Sequence, residues 1–311
     1  LPGVQSDLLA SASNNFSIDG RDYLCTANCT NTDFAQRTYG LNPNQANMKY
    51  GIASSSTSNG GPANLPGIQQ NSNPQITYEA RAEQGLNTTG KRGAVIGKDQ
   101  TNPAASTSGL NTVVNAQGVD TVVMQSFLTQ LAQFSGTTVL QSTIACPMVL
   151  TGNMGGAGVP YTNTPTLTNG CGVNQTLDLG TRQNPKLVYF RGELDPTSSF
   201  TGLRALNNIQ GAGILVIEDG DLRTRGNLNW DGVIIVTGQY VSTIFDSGSN
   251  TTVFGAVVSN ETIWNEGGNS NSTPYYDAYF GANSTNLRYS KEALDLVQRG
   301  LLFRMSTWRE L

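Results

Sequence analysis

The chain has 311 residues, 37% hydrophobic and 13% charged, with a net charge of −4 and no histidine. Typical globular chains carry about 25% charged residues. Here Asn, Thr, Ser, Gln and 35 glycines take that place, which fits a β-rich protein with an amide and hydroxyl surface and excludes the high-charge profile of disorder.

The missing histidine removes Ser-His and Cys-His catalysis and the commonest metal ligand. The acidic balance argues against broad phosphate neutralisation. No run of 18 apolar residues is present, so nothing in the sequence reads as a membrane span. The first residue is Leu1, with neither Met nor a signal peptide, which reads as a processed or shortened chain.

Residues 1–40 are expected to form a small β unit, read here as an entry to the main body. Phe16 to Tyr23 alternates apolar and polar residues around Asp19-Gly20, a hairpin signal. Residues 41–110 are mostly Asn, Ser, Gly and Pro, dense at Ser54 to Gly67 and Asn71 to Pro74, and predict long exposed loops. Short strands are expected at Gln75 to Ala80 and Gly93 to Gly97.

From Asp120 to Phe134, Val123, Met124, Phe127, Leu128, Leu131 and Phe134 fall three and four apart. That spacing predicts an amphipathic helix, capped by Asp120, stopped by Ser135-Gly136, and closing one end or side of a core.

Four aliphatic runs follow: Leu187 to Phe190, Gly213 to Ile217, Gly232 to Val236 and Gly255 to Val258. The last three open with glycine, at intervals of 19 and 23 residues. A rung of this kind cannot bury its apolar face alone, so several must stack. A doubly wound α/β sheet would need crossover helices between the runs. The intervals hold Gly-Asp, Arg-Gly and Asn-Leu-Asn-Trp instead, which is turn chemistry.

The expected fold is therefore all-β. A right-handed parallel β-solenoid spans residues 41–286, with one amphipathic helix near 120–134, and a small α/β element closes residues 287–311. In that element Ser290 is an N-cap, Glu292 lies in the first turn, Ala293, Leu294 and Val297 form the buried face, and Gly300 ends the helix. Leu302 to Leu311 reads as a final strand.

Four cysteines allow three connectivities. Local loop closure favours Cys25–Cys29 with Cys146–Cys171, in an oxidising compartment. The rival reading is a zinc site, but the spacing matches no usual zinc ribbon.

Several segments resemble the PilX-like type IV minor pilins, the competence pilins among them. They are Gly211 to Leu222, Asn229 to Val236, Gly255 to Val258, Arg288 to Leu294, Phe303 to Glu310 and the early Ile18 to Asp22, roughly a third of the chain. The resemblance implies a β-solenoid attached to a pilin-like fold, on the bacterial cell surface near a pilus tip. It also implies a second pilin or pseudopilin subunit as partner and, for competence pilins, binding of incoming double-stranded DNA. Neither a cofactor nor enzyme activity is implied. The hydrophobic pilin helix and its processing site are absent from the sequence, so no membrane contact is expected of it.

Candidate phosphate contacts are Lys91, Arg92 and Lys98 in a glycine-flanked loop, and Arg223 with Arg225, two apart and so on one strand face. Arg204 and Lys186 could join that pair on neighbouring rungs. The plain alternatives are a solvated turn for the first group and ion pairs with Glu218, Asp219 or Asp221 for the second. Glu218 to Asp221 could also hold calcium, or form a polar corner. Asp219, Asp221 and Asp231 are the carboxylates a polysaccharide-cleaving solenoid would use. Tyr275, Tyr276, Tyr279 and Phe280 could stack a ligand or seal an end. A glycan-binding adhesin and a structural spacer are the other functional readings.

Overall fold

The computed structural model describes residues 8–10, 15–53, 90–98, 112–113, 121–134, 137–154, 159–193, 202–239, 241, 243–246, 248–263 and 278–299. The chain is mostly β, and two eight-stranded sheets dominate it. One has long strands. In spatial order these are β6 (Val95–Ile96), β2 (Asn15–Asp19), β20 (Ser284–Arg288), β18 (Asn250–Ile263), β16 (Leu228–Gln239), β14 (Ile209–Glu218), β12 (Lys186–Arg191) and β8 (Val139–Gln141), all parallel.

The short-strand sheet runs β1 (Leu8–Ala10), β19 (Ala278–Phe280), β17 (Thr243–Phe245), β15 (Asp221–Arg225), β13 (Gly202–Leu206), β9 (Met148–Thr151), β10 (Thr166–Thr168) and β11 (Asn174–Thr176). It is parallel as far as β9 and antiparallel beyond.

From β12 to β20 every strand of one sheet is followed in the chain by a strand of the other. The chain thus winds as stacked coils, with no helix between those strands among the described residues. The expected aliphatic runs lie in one register, Leu187 beside Ile214, Ile214 beside Val233 and Val233 beside Ala256. In the central strands of the long-strand sheet both faces are buried, which is why the runs read as continuous apolar stretches. One face of the long-strand sheet meets the short-strand sheet, where Leu215, Ile217, Ile234, Val236 and Val253 join Leu203, Leu222 and Phe245. The other face buries Ile214, Val216, Ile235 and Tyr189 under Leu128 and Leu131 of helix α1 (Thr121–Ala132) and Val297 of helix α2 (Lys291–Val297). Helix α1 covers the side of the stack.

The glycines that open the runs form a ladder, Gly213 beside Gly232 beside Gly255, with φ of +124°, +131° and +136°. L-residues avoid that region. Gly211 has a different role: its partner across the pair is Trp230, and a Cβ there would lie 2.1 Å from the indole ring. The missing side chain makes room for a fully buried Trp230, whose Nε1–H donates to Gly213 O at 3.2 Å.

Asparagines turn the corner between the sheets. Asn227 donates to Asn208 Oδ1 at 2.7 Å and accepts the Asn250 N–H at 2.8 Å, one asparagine per coil. Part of the high Asn content is therefore a ladder of amides.

Asp19-Gly20 does not make the expected hairpin. Strand β2 pairs in parallel with β20 and β6, while β3 (Tyr23–Ala27) pairs with β4 (Thr38–Leu41). Gly20 is small because the Lys49 carbonyl packs on it; a Cβ would sit 2.1 Å from that oxygen. Strands β1 and β2 instead extend the two large sheets, next to β19 and β20 from the other end of the chain. At the opposite end of the short-strand sheet lie β10 and β11, with the Cys146–Cys171 disulfide nearby. Cys25 pairs with Cys29. Both disulfides are the expected ones, and with the thiols paired the zinc reading falls. A two-stranded sheet of β5 (Ile52–Ala53) and β7 (Thr112–Val113) completes the described strands.

Ser290 caps α2 as expected, its hydroxyl accepting the Ala293 N–H at 3.2 Å, with Ala293 and Val297 buried. The expected strands at 75–80 and 302–311, and Gly300, lie outside the described residues.

Thr251 and Thr285 are neighbours across β18 and β20, and both hydroxyls are buried without a hydrogen-bond partner. An unpaired buried hydroxyl is worse than a methyl of the same shape. Thr285→Val is expected to raise the unfolding free energy by about 1 kcal/mol. A urea melt measures it, and a clear loss of stability would contradict the assignment of an unpaired hydroxyl.

Candidate functional site

The expected cations separate into two places. Lys91 and Arg92 lie where a short helical turn (Arg92–Ala94) leads into β6, at one end of the long-strand sheet. Lys98 is exposed just past β6, its ammonium over the Tyr50 ring at 5.3 Å and its N–H on Lys49 O at 2.8 Å. Arg223 and Arg225 share the outer face of β15, as their spacing predicts. They are not free there. Asp246, after β17, accepts from both, at 2.7 and 2.9 Å.

Glu218, one of the acids expected to pair with them, is engaged elsewhere. Glu218 holds Arg191 and the Tyr189 hydroxyl, at 2.5 and 2.9 Å. Arg204 does stand beside Arg223 in the next strand, but Lys186 lies in the other sheet, 3.4 Å from Asp178. β6 is four strand steps from β16, so roughly 20 Å of stack separates the two cation groups.

Asp231 stands apart from the other two candidate carboxylates, Asp219 and Asp221. Asp219 follows Glu218, whose register partner is Thr237; Asp231 stands beside Ala212, six residues back along β14. At about 3.3 Å per residue that is near 20 Å, against the 5–9.5 Å a glycosidase pair needs. Among the described residues no three acidic or cysteine side chains group as metal ligands. Phe280 packs inside against Phe16 and Phe245, at 5.2 and 5.4 Å, and Tyr279 faces outward; Tyr275 and Tyr276 are outside the described residues.

The concentration of polar chemistry is instead around Asp231, on the outer face of β16. Its carboxylate is 1% exposed. It meets Arg37, Arg182 at 3.2 Å and the Tyr39 hydroxyl at 2.7 Å. Arg182 also holds Glu292 of α2 at 2.9 Å. Two cations and two anions thus join four segments far apart in sequence. Tyr39 stacks on Phe254 at 3.7 Å, and Phe34 packs beside both. Gln210 fixes the same segment, accepting the Phe34 N–H at 2.7 Å and donating to Thr32 O at 2.9 Å. Burial raises the Asp231 pKa, opposed by the Arg182 and Arg37 charges. Arg37, Tyr39 and Arg182 converge on Asp231 from three segments, which is the arrangement of a clamp holding residues 32–39 onto the sheet.

Sequence reading missed Arg37, Tyr39, Arg182 and Glu292. One signal was present: Asp231 lies between Trp230 and an aliphatic run, and a carboxylate in a core strand needs a buried partner. Beside the clamp, a groove of about 440 Å³ runs between residues 42–47 and α2.

Three tyrosines hold their protons tightly. Tyr39 and Tyr189 are pushed well above the usual range by burial and by Asp231 and Glu218, and Tyr289 to about 12, mainly by burial. Their folded pKa exceeds the unfolded value near 10, so the stability they contribute is complete below pH 10 and lost as pH rises past it. Fully buried Tyr189 is expected to steepen that loss by about 1.4 kcal/mol per pH unit, and partly buried Tyr289 by a screened fraction of it. Absorbance at 295 nm should show these three ionising only as the fold is lost; early, independent ionisation would refute the burial argument.

No family model, no curated protein and no solved structure matches the chain.

Proposed function

We propose that this chain is an extracellular, pilus-associated surface module of the minor-pilin type, with a right-handed parallel β-solenoid as its body. One observation carries the reading. The two short segments that resemble minor pilins at opposite ends of the sequence form one unit. Asp19 is the register partner of Arg288, Asp22 accepts the Lys291 N–H at 3.0 Å, and Glu292 accepts the Cys25 N–H at 2.8 Å. The handedness follows from the strong right-handed rule for parallel crossovers. Two disulfides favour an oxidising, external compartment. The partner is another pilin or pseudopilin subunit, and the chain acts by binding, without catalysis.

Double-stranded DNA is the ligand we assign, through Lys91, Arg92 and Lys98 first, with Arg223 and Arg225, which share Asp246, as the second group. Glycan adhesion and a spacer role are the competing readings.

Two measurements test this. Filaments sheared from producing cells should carry the chain, and its absence from them overturns the pilus assignment. In gel shifts, three phosphate contacts predict that log K falls with log salt at a slope of about −3, which Lys91→Ala, Arg92→Ala and Lys98→Ala together should flatten. Salt-independent binding, or an unchanged slope in the triple variant, rules out this DNA site. Binding on a glycan array without DNA binding would favour the adhesin.

A further inference from the structure

We draw no further inference here: the strongest candidate, the groove between residues 42–47 and the C-terminal helix, lined by Asp22, Leu24, Asn47, Lys291, Asp295 and Arg299, has Asp22 and the Lys291–Asp295 pair already engaged within the chain, and nothing in the structure shows what fills it.

Discussion

Gly232→Ala is expected to cost the chain a large part of its stability. Gly232 has φ of +131°, and a Cβ there would lie 2.2 Å from Gly213 O and 2.9 Å from Val297 Cγ2. The backbone penalty alone is about 1–3 kcal/mol. The clash adds to it, because the nearest atom is a strand carbonyl that cannot rotate aside. Gly213 and Gly255 stand on either side in the same conformation, so a shift at one level is passed to its neighbours. A total loss above about 4 kcal/mol is a large part of the 5–15 kcal/mol that holds a domain.

Gly170→Ala is the control. Gly170 also has positive φ, +69°, but nothing lies within 4 Å of its Cβ position. It should lose only about 1 kcal/mol. Denaturation midpoints of the two variants measure the difference. Equal losses would mean that stacking of the coils does not constrain the ladder.

Asp231→Asn, one residue earlier, is expected to destabilise by about 3–5 kcal/mol, the range for removing one partner of a buried ion pair. Arg37 and Arg182 are 3% and 5% exposed, and water cannot replace the lost charge. Arg182 keeps Glu292, whereas Arg37 retains no carboxylate among the described contacts, its partners being the Asn31 and Thr32 carbonyls, the Tyr39 hydroxyl and the Phe34 ring. Adding Arg37→Met should therefore recover part of the loss, since a buried pair replaced by apolar groups can be near neutral.

The pH dependence has a definite sign. Burial sets the folded pKa of Asp231 above its unfolded value, so its contribution is most favourable in acid and declines as pH rises through the folded pKa. The asparagine variant should lose that dependence. A loss below 1 kcal/mol, or no recovery in the double variant, would show that the clamp does not hold residues 32–39.

What was legible in the sequence was local. The Cys25–Cys29 and Cys146–Cys171 pairs close short loops, and Ser290 caps a helix whose own turn supplies the partner N–H. The aliphatic runs and their glycines carry their stacking in their spacing, because each coil repeats the same contacts. Other expectations failed where the partner came from elsewhere. The alternation around Asp19-Gly20 gave two strands, yet each pairs away from the other. Arg223 and Arg225 share a face as predicted, but the acid that holds both is Asp246 on the following coil.

By itself, the sequence determined the β class, the parallel runs, the helix cap and the disulfides, since each follows from residues within one coil or one loop. Only the tertiary structure decided that β2 lies beside β20, and that Arg37, Tyr39, Arg182 and Glu292 surround Asp231. Those contacts span up to about 270 residues, where no periodicity links the partners. What selects them is the penalty of leaving a charge or a strand edge buried and unpaired, and that penalty exists only once the coils have stacked.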